Sequence, residues 1–206
     1  RGRMSEEIGG LAVGAVVLAA GQSRRMGTPK MLLPWGDTTV IGRVVRVLKD
    51  TGVAQTVVVT GASRAEVEAS LRAEGVTLAH NEQYQRGEML GSLQAGLRAL
   101  GEDLEAALVV LGDQPQIETQ VVREIIARAG KSSLPLVVPS YQNRRGHPWL
   151  ARRELWPELC AMDGGQETLR DFLNRHVQQI EYVNVGTGSV LLDLDTPEDY
   201  HRQKPD

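Results

Sequence analysis

The chain has 206 residues, enough for one domain with a full core. Its 41% hydrophobic and 24% charged residues are ordinary for a globular fold, and its net charge of −3 argues against nucleic-acid binding through bulk electrostatics. The single cysteine, Cys160, excludes an intramolecular disulfide framework and a multi-thiolate zinc site, and it reads as a buried structural thiol.

From its first residues, Arg1 to Glu7, the chain shows no signal-peptide apolar core, and no apolar run is long enough to span a bilayer. The expectation is a cytoplasmic protein without a membrane partner. Met4 reads as the natural start, residues 1–12 as a tail, and 13–203 as a single domain. Ala15 to Ala20 is apolar and rich in β-branched residues, which predicts a buried strand. It breaks at Gly21 into a loop holding Gly21, Gly27, Arg24, Arg25 and Lys30. Glycines let backbone N–H groups approach an anion, and the cations neutralise it, so the loop reads as a phosphate cradle. It is not a Walker loop: the glycines are six apart, Lys30 lies three after Gly27, and Pro29 disfavours helix at Thr28. The dinucleotide spacing Gly-x-Gly-x-x-Gly is also absent, which weakens the ATPase and dehydrogenase readings.

Met31 to Asp37 predicts a short extended piece ending in a turn. Thr38 or Thr39 then caps a helix with Ile41, Val44, Val45 and Leu48 on its apolar face, stopped at Thr51-Gly52. Thr56 to Thr60 is a second strand, and Ser63 with Glu66 suggests a capping box for a helix through Leu71. Val76 to His80 is a third strand, and Asn81 to Gly91 reads as polar loop. Leu93, Leu97 and Leu100 mark a helix, and Ala106 to Leu111 is almost wholly apolar, as a central parallel strand should be. After Gly112-Asp113-Gln114-Pro115 comes a helix with Ile117, Val121, Ile125 and Ala129 on one side, then a strand at Leu136 to Val138. This alternation predicts an α/β fold with an open, mostly parallel, Rossmann-like sheet and helices on both faces. Ligands in such sheets bind beyond the carboxyl ends of the strands, where the loops after Ala20, Thr60, His80 and Leu111 should lie.

The C-terminal third is less regular. Tyr141 to Leu150, with Arg144-Arg145-Gly146-His147-Pro148-Trp149, reads as a β-hairpin or strand pair. Gly164-Gly165 precedes a helix carrying Leu169, Phe172 and Leu173. Ile180 to Val185 and Ser189 to Leu194 read as two strands joined through Gly186 to Gly188. Thr196 caps a last helix with Pro197 in its first position, where Glu198 and Asp199 favour the helix dipole. Trp35, Trp149 and Trp156 read as core or rim aromatics.

Leu18-Ala19-Ala20-Gly21-Gln22-Ser23-Arg24-Arg25-Met26-Gly27-x-x-Lys30 closely resembles the signature of the MobA-like nucleotidyltransferases, most of all their molybdenum cofactor cytidylyltransferase branch. Matching elements follow from Gly91 to Leu97, at Leu-Gly-Asp-Gln-Pro (111–115), at Gly-His-Pro (146–148) and at Asp-Leu-Asp-Thr-Pro-Glu-Asp (193–199), so the resemblance covers nearly the whole chain. It implies a nucleotidyltransferase (GT-A-like) form of the α/β fold. It also implies Mg²⁺-dependent transfer of a nucleoside monophosphate to a phosphate-bearing acceptor of molybdopterin type, with release of pyrophosphate. Ala19-Ala20-Gly21, in place of Ala-Gly-Gly, points by analogy to CTP rather than GTP.

The resemblance puts the nucleotide on Leu18, Ala19, Ala20, Gly21, Gln22, Ser23, Arg24, Arg25, Gly27 and Lys30, with Asn81 and Ser92 as further contacts. Arg25, Lys30 and Asp113 are the expected catalytic residues. Asp113 follows a buried strand at the binding edge and suits Mg²⁺, which takes carboxylate oxygens. Asp193 and Asp195 are two apart in a strand-like segment and point the same way, so either could complete the metal site. Gln114, Pro115, Gly146, His147, Gly164 and Gly165 would face the acceptor, and no second His or Cys lies near His147 at zinc spacing. One departure from the family pattern is Gly87, one residue further than usual from the Ser-Leu-x-x-Gly-Leu element, with Glu88 as the apparent insertion. The alternatives are a GTP-using or sugar-phosphate nucleotidyltransferase and, in another class, a non-catalytic cofactor carrier serving a molybdoenzyme client.

Overall fold

The computed structural model describes residues 10–86 and 89–205. Its first half contains β1 (Val13–Ala19), β2 (Pro34–Trp35), β3 (Thr38–Thr39), α1 (Val40–Lys49), β4 (Gln55–Thr60), α2 (Arg64–Ser70), β5 (Thr77–His80) and α3 (Met89–Ala99). Then come β6 (Ala106–Leu111), α4 (Thr119–Lys131), β7 (Leu136–Tyr141), β8 (Arg144–Arg145), β9 (Trp149–Arg152), α5 (Trp156–Ala161), α6 (Leu169–Arg175), β10 (Ile180–Asn184) and α7 (Pro197–Gln203).

The main sheet has the order β10-β7-β9-β6-β1-β4-β5, with β8 paired to β7. Strands β5, β4, β1 and β6 run parallel, β9 runs antiparallel between β6 and β7, and β10 is parallel to β7. Every residue of β1 is buried, as befits a central strand covered on both faces. The pleat sends Ala15, Val17 and Ala19 to the side of α1 and α4, and Val16 and Leu18 to the side of α3, α5 and α6. Each fully buried Val or Leu contributes about 1.5–3 kcal/mol of apolar transfer. Helix α3 lies so close to the sheet that a Cβ on Gly96 would stand 2.2 Å from Val16 Cγ1. Thr39 is extended at the start of α1, and its hydroxyl accepts from Gly42 N at 3.1 Å. Among the described residues, no helix is long and apolar enough to cross a membrane.

Several local expectations change. Ser63 starts α2, but its side chain caps nothing, because its ψ of 46° is far from the extended geometry that aims a hydroxyl at the first turn. Ser189 to Leu194 is not a strand: Gly188–Leu191 is a 3-10 turn and irregular chain follows. This segment crosses the sheet's edge instead of joining it. Val190 O accepts from His147 N at 3.0 Å, and Leu194 N donates to Asp113 O at 3.1 Å. The piece after Lys30 opens with a 3-10 turn and then forms the β2–β3 hairpin, whose Trp35 is buried with Val40 and Leu194. Helix α3 begins at Met89, inside the stretch read as loop, and Ile117 packs in the turn before α4. Cys160 is only partly buried. The expected tail residues 1–9 and the Gly87–Glu88 departure lie outside the described residues.

Candidate active site

The connections at β1 and β6 set the site. From β1 the chain crosses through α1 to β4 on one side, whereas β6, the neighbour on the other side, is reached through α3. The divergence leaves a crevice beyond the carboxyl ends of the two strands, the topological switch point where open α/β sheets bind ligands. A cleft of about 690 Å³ lies there, ample for a small molecule.

The β1 loop is held by its own chain. Ser23 takes a positive φ of 50°, its carbonyl accepts from Met26 N at 3.0 Å, and its hydroxyl accepts from Lys30 N at 3.1 Å. Gly27, at φ 67°, makes the second left-handed turn. Gln22 ties the loop to the opposite wall through Gln85 O at 3.3 Å, and Arg24 Nε donates to Gln22 Oε1 at 2.9 Å.

The floor is a charge network. Lys30 Nζ donates to Asp113 Oδ2 and, at 3.0 Å, to Leu194 O, and lies 3.6 Å from Asp195 Oδ1. Both side chains of the Lys30–Asp113 pair are largely withdrawn from solvent, at 12% and 16% exposure, so water screens their attraction weakly. Arg25 Nη2 reaches Asp195 Oδ2 at 3.1 Å from a far more exposed position. Gln114, buried, donates from Nε2 to Asp193 Oδ1 at 2.5 Å. Burial raises the Asp193 carboxyl above its ordinary pKa, and the charges of Asp113 and Asp195 add to the effect against the opposing Gln114 hydrogen bond and Lys30.

Those carboxylates are the oxygen donors that a metal ion could use here. Among the described residues no group of three or more His, Cys, Asp or Glu side chains is gathered as a metal cage. Yet Asp113, Asp193 and Asp195 all line the one cleft, although the segment holding the last two is irregular rather than a strand. Hard oxygen donors in that number suit a divalent cation that takes one or two carboxylates and fills its shell with phosphate oxygens and water. The donor set fits a divalent cation.

Of the residues singled out in the sequence, Leu18, Ala20 to Arg25, Lys30, Ser92, Asp113, Gln114, Gly146, His147, Asp193 and Asp195 line the cleft. Asn81 stands behind Ser92 and donates from Nδ2 to its hydroxyl at 3.0 Å, so it orients the wall from within. Ala19, Gly27, Pro115, Gly164 and Gly165 do not line the cleft. Ala19 points into the core on the α1 face, and Gly165 N donates to Asp163 Oδ1 in the turn that leads to α6. Gly146 has a structural reason to be glycine, since a Cβ there would stand 2.5 Å from Val190 O. His147 is partly accessible, through the cleft, and desolvation lowers its pKa to about 4, so its ring is neutral at pH 7.

The cleft also takes residues the sequence reading left out: Met31, Tyr84, Arg86, Met89, Arg144 and Arg145. The adjacent arginines just before Gly146-His147 were the available signal. Their place depends on the turn at Gln142 and Asn143, both at positive φ (50° and 61°), which folds β8 back onto β7.

Comparisons with known proteins give the chain a family and a fold. The family model described as MobA-like NTP transferase domain matches residues 15–180. Molybdenum cofactor cytidylyltransferase of Escherichia coli (strain K12) is 26% identical over 192 residues, covering 92% of this chain and 94% of that protein. Nicotine blue oxidoreductase of Paenarthrobacter nicotinovorans is 29% identical over 201 residues, covering 92% and 95%. Among solved structures, Rv0371c from Mycobacterium tuberculosis H37Rv has a TM-score of 0.82 at 30% identity, over 93% of this chain and 97% of that one. Its complex with manganese has a TM-score of 0.77 at 29% identity, with the same coverage. A nucleotidyl transferase from Methanothermobacter thermautotroptrophicus has a TM-score of 0.78 at 26% identity, over 94% and 96%.

Proposed function

The chain belongs to the MobA-like NTP transferase family, and from that premise we propose that it transfers CMP from CTP to a phosphate-bearing acceptor of molybdopterin type and releases pyrophosphate. The observation that carries the reading is the Lys30–Asp113 pair, which joins the β1 loop to the end of β6 on the cleft floor. Nucleotidyl transfer brings two anions together, so the protein must screen their repulsion and hold them in line. Backbone groups of Gly21 to Ser23, with Arg25 and Lys30, hold the triphosphate. Asp113, with Asp193 or Asp195, would hold Mg²⁺, and a relative's manganese complex supports a divalent ion. That ion supplies charge neutralisation on the phosphates and the departing pyrophosphate. The acceptor phosphate is itself the nucleophile, so no catalytic Ser or Cys is needed. CTP is supported by Ala19-Ala20-Gly21, and CTP and molybdopterin together by the E. coli relative. A cytoplasmic setting with a molybdoenzyme as client fits the same reading.

The similarity to nicotine blue oxidoreductase favours a second reading, a redox enzyme on the same fold. Incubation of the purified chain with Mg²⁺, a molybdopterin acceptor and each of CTP, GTP, ATP and UTP separates them. Pyrophosphate release with CTP is expected. Reductant-dependent bleaching of nicotine blue without pyrophosphate from any triphosphate would establish the redox reading instead. Cofactor delivery without turnover would mark the carrier.

A further inference from the structure

One ammonium gathers oxygens from two segments of the cleft floor. Lys30 Nζ donates to Asp113 Oδ2 and, at 3.0 Å, to Leu194 O, and Asp195 Oδ1 stands 3.6 Å away. The backbone ties these segments together, since Leu194 N donates to Asp113 O at 3.1 Å. Two carboxylates and a main-chain carbonyl around one small cation are also the kind of donors that a divalent ion takes. Asp195 Oδ2 already accepts from Arg25, and Asp193 Oδ1 from the buried Gln114. Asp113 holds the ammonium or a divalent ion far better than both. Two cations on the same oxygens repel, and the repulsion is weakly screened where the side chains are only 12% and 16% exposed. Lys30 is also able to move off. Its backbone is anchored, with N donating to Ser23 Oγ at 3.1 Å, while the ammonium rides on a flexible four-carbon stem in a loop that lines the same cleft.

We propose that the Lys30 ammonium is an exchangeable counter-ion, seated on the oxygens that a divalent ion would use, and that a triphosphate draws it off and so opens those oxygens to the ion. Metal binding is thereby made conditional on nucleotide. The exchange rests on the nucleotidyl-transfer reading for its anion; the competition between Lys30 and a divalent ion does not. Triphosphate oxygens are charged acceptors and compete with Asp113 for the ammonium. As Lys30 turns to the phosphates, the floor regains the negative charge that the ammonium had neutralised, and a divalent cation is held there more tightly. Linkage makes the effect reciprocal: the factor by which nucleotide raises metal affinity is the factor by which metal raises nucleotide affinity. The ion is therefore held weakly by the protein alone and is taken up together with the nucleotide.

Mn²⁺, followed by electron paramagnetic resonance on the full chain, reads the exchange without turnover. Lys30→Met keeps the length of the stem and removes the charge, so it should bind Mn²⁺ alone about tenfold or more tighter than the wild type. Lys30→Gln, a second neutral variant, should do the same, each variant being used below its melting transition. Arg25→Met removes an equal charge from an exposed partner of Asp195 and should tighten Mn²⁺ binding by about threefold at most. In the wild type, saturating α,β-methylene-CTP should raise Mn²⁺ affinity by about tenfold or more. The ε-carbon NMR signal of Lys30, identified by its loss in Lys30→Met, should shift when the analogue is added without metal. Mn²⁺ binding no tighter in the neutral Lys30 variants, or tightened equally by Arg25→Met, would overturn the proposal. So would an unmoved Lys30 signal, or an unchanged Mn²⁺ affinity, with the analogue bound. Tighter Mn²⁺ binding by the Lys30 variants of a chain that binds no triphosphate would leave the competition standing and remove the nucleotide reading.

Discussion

Lys30 and Asp113 lie 83 residues apart in the chain and meet on the cleft floor. Their roles differ, and so should their variants. Asp113→Asn keeps the shape and removes the charge that faces Lys30 and the proposed cation. Pyrophosphate release should fall by about a hundredfold or more. Unaltered release would sink the assignment of Asp113. Each side chain belongs to a motif visible in the sequence, but their contact does not. The same holds for Gln114, expected near the acceptor and found donating to Asp193. A short motif declares residue types; the partner a side chain finds depends on which distant loop crosses the same edge.

Two glycines show how elements position the site. Gly146 allows the Gly188–Leu191 turn to lie against the start of β9, and the chain beyond that turn carries Asp193 and Asp195. Gly146→Ala should displace that crossing and reduce turnover, with a modest fall in melting temperature. Gly96 lies under α3, away from the cleft lining. Gly96→Val would overpack the α3–sheet contact at a cost of about 1–3 kcal/mol, which for a chain of this size is roughly 2–4 °C in Tm per kcal/mol. Nucleotide affinity measured on the folded fraction should remain. Differential scanning calorimetry paired with CTP titration distinguishes the two outcomes. The crossing segment has the pattern of a strand because Val190, Leu191, Leu192 and Leu194 are apolar. They are apolar because the segment packs as a strap over the sheet's edge, and periodicity cannot tell a strap from a strand.

For the whole molecule, binding and protonation should both show in unfolding. A nucleotide at a hundred times its Kd stabilises the native state by about 2.7 kcal/mol, so CTP with Mg²⁺ should raise Tm more than GTP, ATP or UTP at equal concentration. Equal shifts for all four would remove the case for CTP. His147 has the opposite kind of effect. Its folded pKa of about 4 lies below the ordinary 6.5, so between those values the unfolded chain binds more protons. Stability should therefore fall as pH drops from about 6.5 towards 4, by an amount on the order of 2 kcal/mol from this residue. Urea unfolding at pH 7 and pH 5 should show a smaller loss for His147→Gln than for the wild type.

Runs of β-branched residues, helical periodicity and a glycine-bearing cationic loop follow local rules of backbone and solvation. They are enough to predict a mostly parallel α/β sheet, the edge at which the cleft opens, and a cationic loop that lines it. The places of the opening loop after β1 and of Asp113 after β6 are legible for that reason, whereas Asp193 and Asp195 come from the family resemblance and from a strand pattern that the structure replaces with irregular chain. The antiparallel course of β9, the paths of Gly164 and Gly165 outside the cleft, the Lys30–Asp113 pair and the arrival of Arg144 and Arg145 are not legible. These depend on strand order, on two positive-φ residues in one turn and on a strap crossing the sheet, all settled by packing between segments far apart in the chain. Residue spacing encodes what a segment buries, and only the assembled sheet determines which charges then face one another.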